Sequence, residues 1–294
     1  MKQQTFWGCL FAILSAAIFG CMPLMAKHIY LSGVNAITLV FLRNLFSLIP
    51  LASLAYQEKK TLKIPLSLVP SIVIIALLGC CITPILLFSS YQYIPSGLAT
   101  VIHFAYPSLV VLAEILFLRK AVHGHSIVSL LLCIVGIGMF YTPGQSFNLT
   151  GAALALLSGV TFAGYVVLLS VFDSRKLSGF LFAFYTTSVS AIATLCICIT
   201  TGSLALPATL SGWGYCIVFS LLVTTCALVL FQRSIFLIGG PGASILSTLE
   251  PITSVIIGIV VFGEPFGIPV LAGTVLVIAA SIITVFFKLR KEEP

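Results

Sequence analysis

Glu250 stands in the middle of an apolar run, within Ser247-Thr-Leu-Glu250-Pro251. A carboxylate at the centre of a bilayer-spanning helix costs at least about 2.5–3.5 kcal/mol on insertion scales. Such a group must be paired or protonated, and it must face protein or water. Two chemistries fit it: binding of a cation or amine, and proton transfer. A structural ion pair is the alternative, with Arg43, deep in the second apolar run, as partner. Arg43 could instead hold a substrate carboxylate bidentately or lock its helix to a neighbour. Histidine changes charge near neutral pH, so His103 could join a proton path or serve as a satisfied packing residue. His103, Tyr106 and Glu114 share one helix face, as do Ser247, Glu250 and Ser254. Arg233 and Glu114 lie within about a turn or two of span ends, where long side chains reach water, which suits gates or anchors.

Two prolines mark where these groups gather. Proline donates no backbone hydrogen bond and clashes with the carbonyl four residues earlier. Pro107 is therefore expected to free the carbonyl of His103, and Pro251 that of Ser247. At membrane depth a freed carbonyl needs protein or a wet cavity. We expect both carbonyls to line such a cavity, against the plainer alternative that the kinks only aid packing.

The elements carrying these residues are duplicated. Ala99 to Pro107 returns as Ala243 to Pro251, with Gly97 and Gly242 close before. Gly8, Ala12, Leu14, Ser15 and Phe19 line up with Gly151, Ala155, Leu157, Ser158 and Phe162. Hydrophobic residues make up 60% of the chain and charged residues 7%, against roughly a quarter charged in a soluble domain. Lipid must cover most of the surface. Ten runs approach the length of about 20 residues that a spanning helix needs: Phe6–Ala26, Asn35–Tyr56, Leu66–Ser89, Pro95–Leu118, Gly124–Tyr141, Leu149–Phe172, Gly179–Thr200, Gly212–Leu237, Pro241–Phe262 and Pro269–Phe287. Alternating barrel strands are absent from the pattern. The first run is too long for a signal peptide and lacks a cleavage site. The expected fold is an all-α polytopic membrane protein, with ten transmembrane helices in two inverted five-helix repeats, 1–142 and 143–294. Five is odd, so the second copy begins on the opposite side of the membrane. Such repeats supply alternating access around a central site.

Charge is sorted by side. With the amino terminus cytoplasmic, one side receives Lys2, Lys59, Lys60, Lys63, Arg119, Lys120, Arg175, Lys176, Lys288, Arg290 and Lys291, and the opposite loops only Lys27. This positive-inside pattern puts both termini in the cytoplasm. It also accounts for the net charge of +7, so no nucleic-acid partner is implied. The nine cysteines all fall inside spans without a Cys-x-x-Cys pair, which implies neither metal nor disulfide. Trp7 reads as an interface-belt residue. Asn148-Leu149-Thr150 matches a glycosylation acceptor but lies against the membrane and carries no weight.

The repeats, the Ala-x7-Pro helix, the motif Val261-Phe262-Gly263-Glu264-Pro265 and the small-residue-rich last helix resemble the EamA branch of the drug/metabolite transporter superfamily. The first repeat departs from that pattern, with Arg119-Lys120 where the family usually has Gly-Glu. The resemblance implies export of a small metabolite, amino acids among them, and no cofactor. It also assigns Phe19, Tyr91, Gln92, Tyr165 and Gln232 to spans that wall the cavity. Together with Glu250, His103, Tyr106 and Ser247 they form the expected substrate site, with Glu250 and His103 as proton-coupling candidates. The partners expected are a small-molecule substrate and the lipid bilayer, and a homodimer is left open.

Membrane enzymes would need a nucleophile–base pair or metal cluster. His-Glu-x-x-His and Gly-x-Ser-x-Gly are missing, and Asp173, the only aspartate, is in a loop. A sensor would not need ionisable groups at the symmetry axis, and a channel would need a polar stripe through the whole bilayer. Topology is directly testable. Reporter fusions at Pro294 and in the Gly144–Phe147 loop should report opposite sides of the membrane; the same side for both would remove the inverted repeat.

Overall fold

A computed structural model describes residues 2–59, 62–118, 124–139, 148–172, 177–264 and 267–292. Every regular element among them is helical. The first span joins α1 (Lys2–Gly20) to α2 (Met22–Tyr30), with a break at Cys21 where Pro23 takes an early position in α2. The second is α3 (Ala36–Lys59). The third runs through α4 (Val69–Ala76), a π-helical segment (Leu77–Ile82) and α5 (Thr83–Ser90). The fourth is split into α6 (Ser96–His103) and α7 (Tyr106–Leu118). The next three are α8 (Gly124–Gly138), α9 (Leu149–Val171) and α10 (Gly179–Thr201). The eighth passes from α11 (Leu210–Phe219) through a second π segment (Ser220–Ala227) into α12 (Leu228–Leu246). The last two are α13 (Leu249–Phe262) and α14 (Ile268–Glu292). Among the described residues, six stretches are long and apolar enough to cross a bilayer and four are shorter apolar helices.

One expected boundary is displaced. The sequence separates the eighth and ninth spans near residue 239, but the backbone stays helical to Leu246. Pro241 removes a single hydrogen bond there, and the ladder on either side bridges it. The interruption falls at Ser247–Thr248, just ahead of Pro251. The first repeat breaks at the corresponding place, Phe104–Ala105, just ahead of Pro107. In both cases the proline ring excludes the carbonyl four residues back from regular helix.

The packing pattern is that of an inverted repeat. The first span packs on the eighth and ninth, and the sixth packs on the third and fourth. The second packs on the seventh, and the fifth on the tenth. Exchanging the two copies leaves these pairings unchanged. The π segments occupy matching places in the third and eighth spans, and their carbonyls are met by matching serines. Ser190 Oγ of α10 donates to Cys80 O at 2.7 Å, and Ser47 Oγ of α3 donates to Ser220 O at 3.1 Å. Each serine belongs to the repeat opposite the π segment that it serves. Ser15 Oγ likewise donates to Ala227 O at 2.8 Å.

The section is inverted relative to a soluble protein. Ser15, Asn44, Ser47, Ser158, Ser190 and Ser220 have no exposure, while Ile49, Leu66, Leu210 and Ile134 point outward. Small polar residues let helices approach and cross-bond, and large apolar ones meet lipid. Two glycines sit where backbones nearly touch. A Cβ on Gly136 of α8 would lie 2.8 Å from Gly273 O of α14, and one on Gly159 of α9 would lie 2.9 Å from His103 O. Gly136→Ala and Gly159→Ala should therefore each cost about 1–3 kcal/mol of stability through overpacking. A Cβ on Gly214 of α11 would meet nothing within 4 Å, so Gly214→Ala should gain up to about 1 kcal/mol of helix propensity. Thermal unfolding in detergent checks the opposite signs.

Candidate functional site

A cavity of about 110 Å³ opens where the first, second, third, fourth, sixth, eighth and ninth spans converge. Much of its wall is aromatic. The Tyr106 ring packs edge-on against Phe162 with centroids 4.7 Å apart, and Phe162 lies 5.3 Å from both His103 and Tyr165. Phe19, Phe88 and Phe231 also line the space. The Arg43 guanidinium carbon sits 5.6 Å from the centroid of Phe88, within range of a favourable cation–π contact.

Many lining residues are mates across the two repeats: Phe19 with Phe162, Met22 with Tyr165, Phe88 with Phe231, His103 with Ser247, and Tyr106 with Glu250. The phenylalanine mates match, while the others differ. A symmetric scaffold thus holds an asymmetric set of charges. The repeat mate of Arg43 is Thr186 and that of Glu250 is Tyr106, so the cation and the carboxylate come from different copies.

Arg43 and Glu250 do not neutralise each other. Among the described residues Glu250 forms no ion pair or side-chain hydrogen bond with Arg43, whereas Glu264 pairs with Lys27. Three of the lining residues each carry a buried polar atom without a partner: Arg43 Nε, Asn44 Oδ1 and Thr224 Oγ1. Buried polar atoms are satisfied in the great majority of cases. Three orphans around one space, a cation and two acceptors (one also able to donate), mark a place that receives a polar guest or water.

His103 is held more firmly. Its Nδ1 lies 2.8 Å from Ser158 Oγ, whose own proton goes to Ala155 O at 2.6 Å. A hydroxyl has one proton, so Nδ1 is the donor and Nε2 is left as the ring's acceptor. One of the two backbone carbonyls departs from expectation. Ser247 O accepts the Glu250 N–H at 2.9 Å, and the His103 carbonyl lies against Gly159. The carbonyl of Phe104, at the other break, accepts Ser281 Oγ at 3.2 Å. At these breaks a turn satisfies the Ser247 carbonyl and a neighbouring helix that of Phe104, while the side chains of His103, Tyr106, Ser247 and Glu250 line the cavity.

The cavity brings together Phe19, Arg43, His103, Tyr106, Tyr165, Ser247 and Glu250. Other expected residues lie elsewhere. Gln92 is exposed, in the turn after α5. Tyr91 is buried beside Thr100, its hydroxyl 3.4 Å from Thr100 Oγ1, and does not line the cavity. Arg233 is exposed, 4.8 Å from the Phe180 ring. The side chains of Gln232 and Glu114 lie outside the described residues. Sequence reasoning missed Asn44, Thr83, Thr224 and Phe162. Phe162 was in view as the repeat mate of Phe19. Asn44 follows Arg43, but helical neighbours diverge by about 100°, so adjacency gives no signal.

The model of the EamA-like transporter family matches residues 6–142 and again residues 149–286. The chain belongs to the EamA-like transporter family. It is similar to an uncharacterized inner membrane transporter, YicL, of Salmonella typhimurium, at 23% identity over 94% of each chain. It is 22% identical to an uncharacterized transporter of Clostridium kluyveri, over 94% of this chain and 92% of that one. An uncharacterized transporter of Haemophilus influenzae matches at 26% identity over 60% of the chain, which spans 61% of that relative's length. A crystal structure at 14% identity superposes with a TM-score of 0.67 over 97% of this chain and 99% of that one, a likeness of fold. This EamA-family chain is therefore a multi-pass membrane protein built as two matching units.

Ser158 is the residue that fixes the His103 ring in this site. Ser158→Ala should leave the Nδ1–H without its acceptor and cost about 1–3 kcal/mol of stability. Melting temperature in detergent measures it; an unchanged value would mean that the ring is held by its aromatic neighbours alone.

Proposed function

We propose that this chain is a secondary transporter, not an enzyme, that carries a small amino-acid-like zwitterion out of the cell by alternating access. Both termini are then cytoplasmic, as the sorting of basic loops requires. Arg43, with Thr224, receives the substrate carboxylate. Glu250 receives the ammonium, and the aromatic wall of Phe19, Tyr106, Phe162 and Tyr165 takes an apolar side chain. The reading rests on one observation: a cation and a carboxylate line the same cavity without pairing, beside orphaned polar atoms. Size supports it. A cavity of about 110 Å³ is somewhat smaller than the roughly 150 Å³ engineered cavity that holds benzene.

Proton coupling follows from the same residues. When the substrate ammonium leaves, Glu250 loses its counter-charge in the cavity and takes up a proton. His103 Nε2 offers a second acceptor on that wall. One carboxylate then alternates between substrate and proton, which couples their movements.

Flux in proteoliposomes, over a panel of amino acids and the corresponding simple amines, tests the reading. Glu250→Gln should lower transport at least about tenfold, equivalent to about 1.4 kcal/mol, and should flatten its pH dependence while expression stays normal. Arg43→Met should abolish transport of amino acids. If amines still pass at the parental rate in Arg43→Met, the substrate is an amine and Arg43 is structural. Normal flux with an unchanged pH profile in Glu250→Gln would remove Glu250 from the site.

A further inference from the structure

Away from the cavity, at the face opposite the termini, one carboxylate ties three spans together. α13 ends at Gly263, which adopts a left-handed conformation (φ 60°) and lets the chain reverse. The reversal returns the Glu264 N–H to Gly258 O at 2.9 Å and turns Glu264 inward, only 9% exposed. Its Oε1 accepts from Lys27 Nζ of α2 at 2.5 Å, and from both the N–H and the hydroxyl of Ser96 at 2.9 Å. Its Oε2 accepts the Gly97 N–H at 3.3 Å. The outer ends of the first, fourth and ninth spans thus meet on a single side chain. Burial opposes charge on Glu264, but the Ser96 donors and the Lys27 ammonium outweigh it and hold the carboxyl below the usual carboxylate range.

The seam continues below it. Thr100 Oγ1 donates to Ser96 O at 2.9 Å and lies 3.1 Å from Ser254 Oγ, joining α6 to α13. Every residue of α6 is buried. The same three spans bring Met22, His103 and Glu250 to the cavity, so separating them at this face would uncover it. The other repeat does not carry the same residues. The position matching Glu264 is Lys120, and the one matching Lys27 is Ser170.

We propose that Glu264 is a latch that holds the cavity shut toward the face away from the termini. Because only one repeat carries it, the latch biases the transporter toward the conformation closed on that face. Opening there requires Lys27 and the α6 amides to leave the carboxylate together. The inference rests on alternating access but not on the identity of the substrate.

Cys80, buried on the cavity wall, is a native reporter of opening. With the remaining cysteines replaced and the protein in oriented proteoliposomes, its modification by a membrane-impermeant methanethiosulfonate measures access from each face without a flux assay. Glu264→Gln and Lys27→Met should each speed modification from the latched face by about tenfold or more, the equilibrium worth of one charge-assisted hydrogen bond. The rate from the other face should not rise, and Lys27→Arg should stay near the parental rate. Unchanged rates at the latched face in folded Glu264→Gln and Lys27→Met would overturn the proposal. So would equal acceleration from both faces, which signals a loosened fold. If Glu264→Gln fails to fold, Lys27→Met decides alone. Failure here with normal transport removes the latch only, whereas loss of flux with normal Cys80 access bears on the substrate reading.

Discussion

Lipid offers backbone amides no hydrogen-bond partner, so each interruption of a spanning helix must be answered from within the protein. Among the described residues, two π segments and two proline-led breaks lie around one space, besides the break at Cys21 in the first span. Ser190 and Ser47 answer the π segments and Ser281 answers a break, each from the opposite repeat. The interruptions therefore cannot exist in one repeat alone. They require the copies to interlock, which is why the first span packs on the eighth and ninth rather than on its own repeat. The cavity is where the interlocked interruptions leave helices unable to close against one another.

The large features were legible because lipid enforces simple rules. Composition and run length imply the spans, and duplication implies the two units. The prolines mark the breaks because proline chemistry is local. Glu250 and His103 stood out because polar groups are rare in such runs. The π segments were not legible, since Leu77–Ile82 and Ser220–Ala227 contain no residue type that distinguishes i→i+5 bonding from i→i+4. The resemblance assigns Tyr91 and Gln92 to the wall of a span, but α5 ends at Ser90 and both lie in the turn beyond it. Arg43 lies in the uninterrupted α3, and nothing in its local sequence separates a lining arginine from a locking one. Glu264 stood at a loop, where a carboxylate ordinarily needs no partner, and its three-span role exists only in the packed state.

Duplication followed by divergence explains the chemistry of the cavity better than either alone. Mates that pack, such as Phe19 with Phe162 and Phe88 with Phe231, are alike; under the proposed alternating access, both conformations of an exchanging pair need the same volume. Mates that could touch a guest have diverged: His103 against Ser247, Tyr106 against Glu250, Arg43 against Thr186. A two-fold axis through identical polar residues would present a symmetric field, suited to a symmetric guest. Divergence turns the field into a dipole, with cation and carboxylate in different copies.

That dipole also sets the energetics of an empty cavity. Arg43 and Glu250 line the same space yet stay unpaired, although a direct pair would relieve both. The aromatic wall and the Phe88 contact to the guanidinium keep Arg43 in place. Each charge is left with uncompensated desolvation, which in a buried site amounts to several kcal/mol per ion. In the proposed function, a zwitterion supplies both counter-charges at once. Its binding offsets the two penalties together, and a molecule with only one charge offsets one. Selectivity for the double charge then comes from leaving the protein's own groups unsatisfied, which is a different device from adding contacts. In that reading the same deficit makes closure without a guest costly, so substrate or a proton on Glu250 accompanies closure, and occupancy is coupled to conformation through the solvation of these two side chains.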